Sequence, residues 1–500
     1  MSAKKLDQND IIETPAEPVK KTICLVQLTR IGDVIQVLQT AIRLKETRDD
    51  IDLAFIGREK FSKPLEFLLE QVFDHIYYVN LDTILNKGNG KLDTTITALN
   101  LFIEDVNKLH ISALINYSYS RSSGYLCSLI KAEHRLGLHY DNNSNIIIND
   151  NLSQFVYSNV LATNLNPFSL VDLFFKTLGV RPYKDQVPAV KKIVNKKIVI
   201  HPFASSARKR WKVNKWIEII YKVLKEHPDS HIIIVGSKED LTAAKLILGS
   251  VVLKQFSNRL TSYVGTKSIQ DVYQVLGESD LFVGHDSMVG HLASLQGIQT
   301  LTVSLGTVRP VESSPYVSGG YVLSPRTKCF PCKPGDDCQL FQCHLDITHQ
   351  LSYSVINLLL NKEEVNEKNL YRDNISMHLS SANLYQSEFS KEGLFRLIPV
   401  IENRDDFNDI LAKVYRVTWS FLLNDLDETI KQPELTNLTH SELLATLKGL
   451  QNLYELAEFG KKYSKYILEE ISSETPDIKM IKKYSHKIDE IDSLKDIVKK

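Results

Sequence analysis

"LVQLTRIGDVIQVLQTAIRLK", Leu25 to Lys45, is the stretch that decides the fold. Its first residues are an apolar run suited to a strand, and from Val34 onward Val34, Leu38 and Ile42 share one stripe at helical spacing. Between them lies the loop "TRIGD". A strand that hands over to a helix through so short a loop is the first unit of an α/β domain with a parallel sheet. Ligands of such sheets bind beyond the carboxyl ends of the strands, which is where Gly32 and Asp33 fall. Asp33 therefore has two readings. It is an N-cap, accepting a backbone amide and favoured by the helix dipole, or it is a base placed at a ligand site.

Outward from this unit the alternation continues to about Pro182, with "IDLAFIG", "HIYYVNL" and "ISALINYS" as further strands between helical periods. A second series starts at Lys197 with "KIVIHPF", followed by the helical period "VNKWIEIIYKVLKEH" and the strand "SHIIIVGS". The expected architecture is two Rossmann-like parallel-sheet domains, residues 21–182 and 197–361, joined near 182–196 and facing a cleft. A flexible tail (1–20) precedes them and an all-helical extension (362–500) follows. A cleft between two such domains is the default ligand site.

Composition narrows the function. The 500 residues carry 60 basic and 60 acidic side chains, so no net field draws the chain to nucleic acid. No apolar run approaches the roughly 20 residues that span a bilayer. The N-terminal stretch is polar and lacks the apolar core of a secretory signal, which points to the cytoplasm. Neither half carries a strand-linked G-x-G-x-x-G or a Walker A loop, which disfavours nicotinamide cofactors and P-loop chemistry. Cys24 and Cys127 lie in apolar surroundings and read as inert core residues.

Two further loops carry chemistry. "HPFASSARKRWKVNKW", from His201, sets Ser205, Arg208, Lys209 and Arg210 just past a strand end, a set of cations suited to phosphate or to a solvated turn. Trp211 and Trp216 read as packing residues. "LFVGHDSMVGHLASLQG" ends a strand at Gly284 and puts Asp286 and Ser287 in the turn, with His291 in the first turns of a helix. Backbone amides at such a helix start form an anion site.

In this order and spacing, "RIGD", "HPFASSARKRW" and "DSMVGHLASLQG" resemble glycosyltransferase family 9, the ADP-heptose heptosyltransferases, over about Lys21 to Leu360. The resemblance implies the GT-B fold and inverting transfer from a nucleotide-diphosphate sugar, ADP-heptose first, to a lipopolysaccharide-core or protein acceptor. It gives Asp33 as general base and Lys209 as the cation on the donor phosphate. Gly32, Ser205, Arg208, Arg210, Asp286, Ser287 and His291 would line the donor site, with Glu239 on the nucleotide ribose. No divalent ion is needed for such catalysis. A lipid-linked acceptor would bring the chain to a membrane surface, and a homo-oligomer stays open. Two departures, Phe203 and Met288 where the family has glycines, keep a second reading in view: a non-catalytic GT-B scaffold that assembles through its helical C-terminus.

The cysteine run "CFPCKPGDDCQLFQC" places Cys329, Cys332, Cys338 and Cys343 at C-x2-C and C-x4-C spacing, suited to zinc or iron held by thiolates and equally open to free thiols or disulfides. It is similar to the four-cysteine iron site of family relatives that modify autotransporters. Its role would be structural.

Overall fold

A computed structural model describes residues 20–80, 92–161, 166–180, 187–333, 335, 338–372, 376–401, 407–422, 440–473 and 475–498. The expected tail lies outside them except for Lys20. The chain divides into two compact units, residues 1–164 with 168–401, and residues 165–167 with 402–500.

The first unit holds both α/β sheets. β1 (Lys21–Gln27), β2 (Ile51–Arg58), β3 (His75–Val79), β4 (Ile111–Asn116) and β5 (His134–Gly137) form a sheet in the order β3-β2-β1-β4-β5. Every pair in it is parallel. A small ribbon, β6 (His139–Tyr140) with β7 (Ile146–Ile147), follows. The second sheet runs through β8 (Lys197–His201), β9 (His231–Ile234), β10 (Leu260–Ser262), β11 (Leu281–His285), β12 (Gln299–Val303) and β13 (Tyr321–Pro325), in the order β10-β9-β8-β11-β12-β13. The inner strands β8, β11, β12 and β13 are buried along nearly their whole length because both of their faces are covered.

The segment expected to be purely helical from residue 362 adds two strands to that sheet. β14 (Ala382–Phe389) pairs antiparallel with β13, and β15 (Phe395–Pro399) pairs antiparallel with β14. The first unit thus continues to Ile401, past the boundary at 361. In β14, Ala382, Leu384 and Ser387 are buried while Gln386 is exposed. The second unit is helical, with Phe407–Leu422, His440–Ile471 and Ile478–Val498. Among the described residues no helix is long and apolar enough to cross a membrane.

Helix α1 (Ile31–Thr47) packs against the helix Met288–Leu295, so the two sheets are coupled directly. One apolar cluster runs from Leu25, Val34 and Leu38 to Leu276, Phe282 and Leu292, and Gln39 Nε2 donates to Ser294 Oγ at 3.2 Å across the junction.

Candidate functional site

Each sheet reverses its strand order once at its centre, between β1 and β4 and between β8 and β11. The loops leaving β1, β8 and β11 line one cavity of about 1540 Å³. Gly32 and Asp33 contribute from the first sheet, and Ser205, Lys209, Arg210, Glu239, Asp286, Ser287 and His291 from the second. A cleft at two facing topological switch points is where this class of sheet takes its ligands.

Asp33 is the third residue of α1 and not its N-cap, which is Arg30. Its Oδ2 accepts from the Arg30 amide at 3.1 Å and from Thr29 Oγ1 at 2.6 Å. The carboxylate therefore closes the first turn with one oxygen.

Lys209 ends the short turn Ala207–Lys209, and its Nζ lies 3.2 Å from Asp286 Oδ2. The two side chains are 15% and 10% exposed, so this pair is less screened than a surface one. Arg210 is exposed on the cavity wall. Arg208 lies off the wall, and its Nη1 donates to Lys333 O at 3.3 Å. Glu239 sits in the turn after β9, where the turn backbone and then Ser237 hold its carboxylate below the usual range.

Residues that the sequence reading passed over hold this cationic loop. His285, buried at the end of β11, accepts the Trp211 amide on Nε2 at 3.1 Å. That contact assigns the ring proton to Nδ1, which donates to Val303 O at 3.4 Å. Burial, reinforced by the neighbouring histidines and Lys209, pushes its pKa down to about 3. Trp211 and Trp216, 2% and 0% exposed, pack edge-on to the same ring, so they are core residues. From the other side His344 Nε2 donates to Arg208 O at 2.8 Å. Gly306, at φ +65°, lets the loop after β12 approach, since a Cβ there would lie 2.7 Å from Arg208 O.

The helix Met288–Leu295 opens at Ser287, whose hydroxyl turns to His201 Nδ1 at 3.1 Å and leaves the first amides of the helix without a side-chain cap. Such amides suit an anion. Burial pushes His201 down to about 4. His291 lies one turn into the helix and is 6% exposed. Burial lowers its pKa, while Asp286 and Asp33 oppose that shift from either side of the cleft. Among the described residues, His291 Nδ1 and Asp286 Oδ1 are buried without a hydrogen-bond partner, two polar atoms left for a ligand.

The two departures differ in place. Phe203 is 2% exposed, edge-on to His201 and against Gly236, where a Cβ would meet its ring at 2.7 Å. Met288 is half-buried on the cavity wall. Cys24 and Cys127 are buried, and burial raises both thiols, that of Cys127 to about 12. Of the four clustered cysteines, Cys329 is exposed, Cys332 and Cys338 are half-buried and Cys343 is buried. Burial raises the Cys343 thiol to about 11, with the other three adding to the shift. Among the described residues no group of three or more His, Cys, Asp or Glu stands ready to hold a metal.

Two Rossmann-like sheets facing a cleft give the fold class, that of the GT-B glycosyltransferases. Residues 113–338 match the model of glycosyltransferase family 9 (heptosyltransferase), and it is this family that the chain resembles. The glycosyl transferase family 9 protein of Veillonella parvula shares the fold at a TM-score of 0.52 and 15% identity, covering 70% of this chain and 100% of that one. The E. coli ADP-heptose lipopolysaccharide heptosyltransferase II does so at a TM-score of 0.50 and 14% identity, covering 68% and 99%. No curated protein sequence matches significantly.

Proposed function

We propose that the chain transfers heptose from ADP-heptose, with inversion, to a hydroxyl of a lipopolysaccharide core or of a protein. The observation that carries this reading is that Asp33, Lys209 and His291 meet at one cavity between two switch points. Asp33 takes the proton of the acceptor hydroxyl, the freed oxygen pair attacks the anomeric carbon, and the bond to the diphosphate oxygen breaks. Lys209, Arg210 and the first amides of the helix Met288–Leu295 meet the charge that grows on the departing diphosphate. These groups act without a divalent ion. The chain's likeness in fold to the E. coli ADP-heptose lipopolysaccharide heptosyltransferase II supports ADP-heptose as donor. A lipid-linked acceptor would carry the reaction to a membrane surface, with the chain in the cytoplasm.

Calorimetric titration with ADP, UDP and GDP, followed by ADP-heptose turnover, tests the reading. ADP binding together with ADP release that Asp33→Asn lowers by roughly 10²–10⁴-fold supports it. Preference for another nucleotide overturns the donor, and undiminished turnover in Asp33→Asn overturns the base.

A structural zinc or iron at the four cysteines belongs to the same proposal. The preformed grouping that would favour it is missing among the described residues, so metal would have to draw the thiolates together. Elemental analysis finding about one zinc or iron per chain, lost on replacing Cys329 and Cys332, supports it. Metal-free, fully stable protein overturns it.

A further inference from the structure

The base has a neighbour whose chemistry the proposed mechanism leaves unused. Thr29 Oγ1 lies 2.6 Å from Asp33 Oδ2 and 2.7 Å from Gln27 Oε1. A hydroxyl has one hydrogen, so these two acceptors compete for it. Gln27 is the last residue of β1 and is 1% exposed. Its Oε1 also receives the Thr29 amide at 3.2 Å and Ser118 Oγ at 3.1 Å, while its Nε2 donates to Tyr117 O at 3.4 Å. Donors converging on Oε1 fix which way the amide faces. Ser118 is in turn tied to the Leu28 amide at 2.7 Å and to Asn116 Oδ1 at 3.0 Å. The array thus spans the β1/β4 switch point and ends on the carboxylate.

We infer that Thr29 is a positioning residue for the transfer, one whose hydroxyl fixes the plane of the Asp33 carboxylate and follows its change of charge. The inference rests on Asp33 being the base. Oδ2 is engaged twice, by Thr29 and by the Arg30 amide, and no hydrogen bond falls on Oδ1 among the described residues. Oδ1 is therefore the oxygen that takes the acceptor proton. Before transfer, the Thr29 hydrogen points at a negatively charged Oδ2, the stronger of its two acceptors. When the acceptor O–H bond breaks and Oδ1–H forms, Oδ2 becomes a neutral carbonyl oxygen. The Thr29 hydrogen can then turn to Gln27 Oε1 with no heavy atom moving. A helix-capping role would need only the Arg30 amide, and leaves the Thr29–Gln27 contact without a purpose.

The test uses the full chain, ADP-heptose and water as the acceptor, with ADP release as the signal. Thr29→Val should lower kcat about tenfold while leaving ADP affinity and melting temperature as in the parent. Thr29→Ser should restore kcat to within about twofold, because it keeps the hydroxyl. Adding Thr29→Val to Asp33→Asn should cost nothing more, since the two act as one unit. Should Thr29→Val fold poorly, Thr29→Ala reads the same loss. Parental kcat in Thr29→Val beside a crippled Asp33→Asn overturns the inference alone. So does a loss that multiplies with that of Asp33→Asn, which marks a structural effect. Parental kcat in Asp33→Asn removes the base, and this inference falls with it.

Discussion

Gly32 lies against His291: a Cβ on the glycine would sit 3.3 Å from the Cδ2 and 3.6 Å from the Nε2 of the imidazole. The glycine of "RIGD" has an ordinary helical backbone. What it supplies is room for a side chain from the facing sheet, one residue before the Asp33 carboxylate.

Gly32→Ala therefore sets two effects against each other. Alanine in a helix gains about 1 kcal/mol over glycine, which offsets the strain of moving a ring by a few tenths of an ångström. The melting temperature should change by less than about 3 °C. Turnover should fall about tenfold, because misplacement near 1 Å at a reacting centre costs on the order of 10²-fold. Differential scanning calorimetry beside an ADP-release assay checks both, and unchanged turnover would mean that His291 needs no fixed place.

Lys209→Ala should weaken a nucleoside diphosphate at least about tenfold and the nucleoside less than about twofold, since its target is phosphate. It also leaves Asp286 without its 3.2 Å partner, so some stability is lost as well. Asp286→Asn in the same chain should recover that stability and leave the phosphate defect. Equal weakening of both ligands would mean that the loop had collapsed.

The buried histidines predict acid lability. His285 titrates near 3 in the folded chain and near 6.5 when unfolded, so the unfolded chain binds more protons between those values. Stability is then full above about pH 6.5 and falls as pH drops towards 3. Between pH 7.5 and 5 this one ring should cost about 2 kcal/mol. His285→Gln keeps an acceptor for the Trp211 amide without a titrating ring. Its urea midpoint should fall less over that range than the parent's, and an equal fall would place the acid sensitivity elsewhere.

The three loops could be read in the sequence because each sits where an apolar run breaks into small and charged residues, and such breaks lie at strand ends. The groups that aim them could not. Gln27 meets Ser118 only because β1 pairs with a strand some 90 residues on, and His285 reads as one more residue of an apolar strand until Trp211 is folded over it. The hairpin at 382–399 was hidden for another reason. "ANLYQSEF" alternates weakly, with polar Gln386 and Ser387 adjacent, between helical segments that set the local period.

That hairpin fixes where the chain can be cut. Ending it at Lys362 would remove β14 and β15 and bare the length of β13. It would also remove the Phe395 amide, which donates to Asp172 Oδ2 at 3.0 Å; Asp172 is 1% exposed and its Oδ1 accepts from Tyr316 Oη at 2.7 Å. Removing one donor from a buried carboxylate costs on the order of 1–3 kcal/mol, and Phe395 is itself part of the apolar core. A chain ending at Ile401 keeps all of these contacts. We expect that chain to stay folded and to bind ADP as the full protein does, and the chain ending at Lys362 to be insoluble or to melt at least about 10 °C lower. Calorimetric titration and thermal melting decide. Should the chain ending at Ile401 be folded and yet fail to bind ADP, residues beyond 401 belong to the donor site; should the one ending at Lys362 behave like the full protein, the hairpin is an ornament on the sheet.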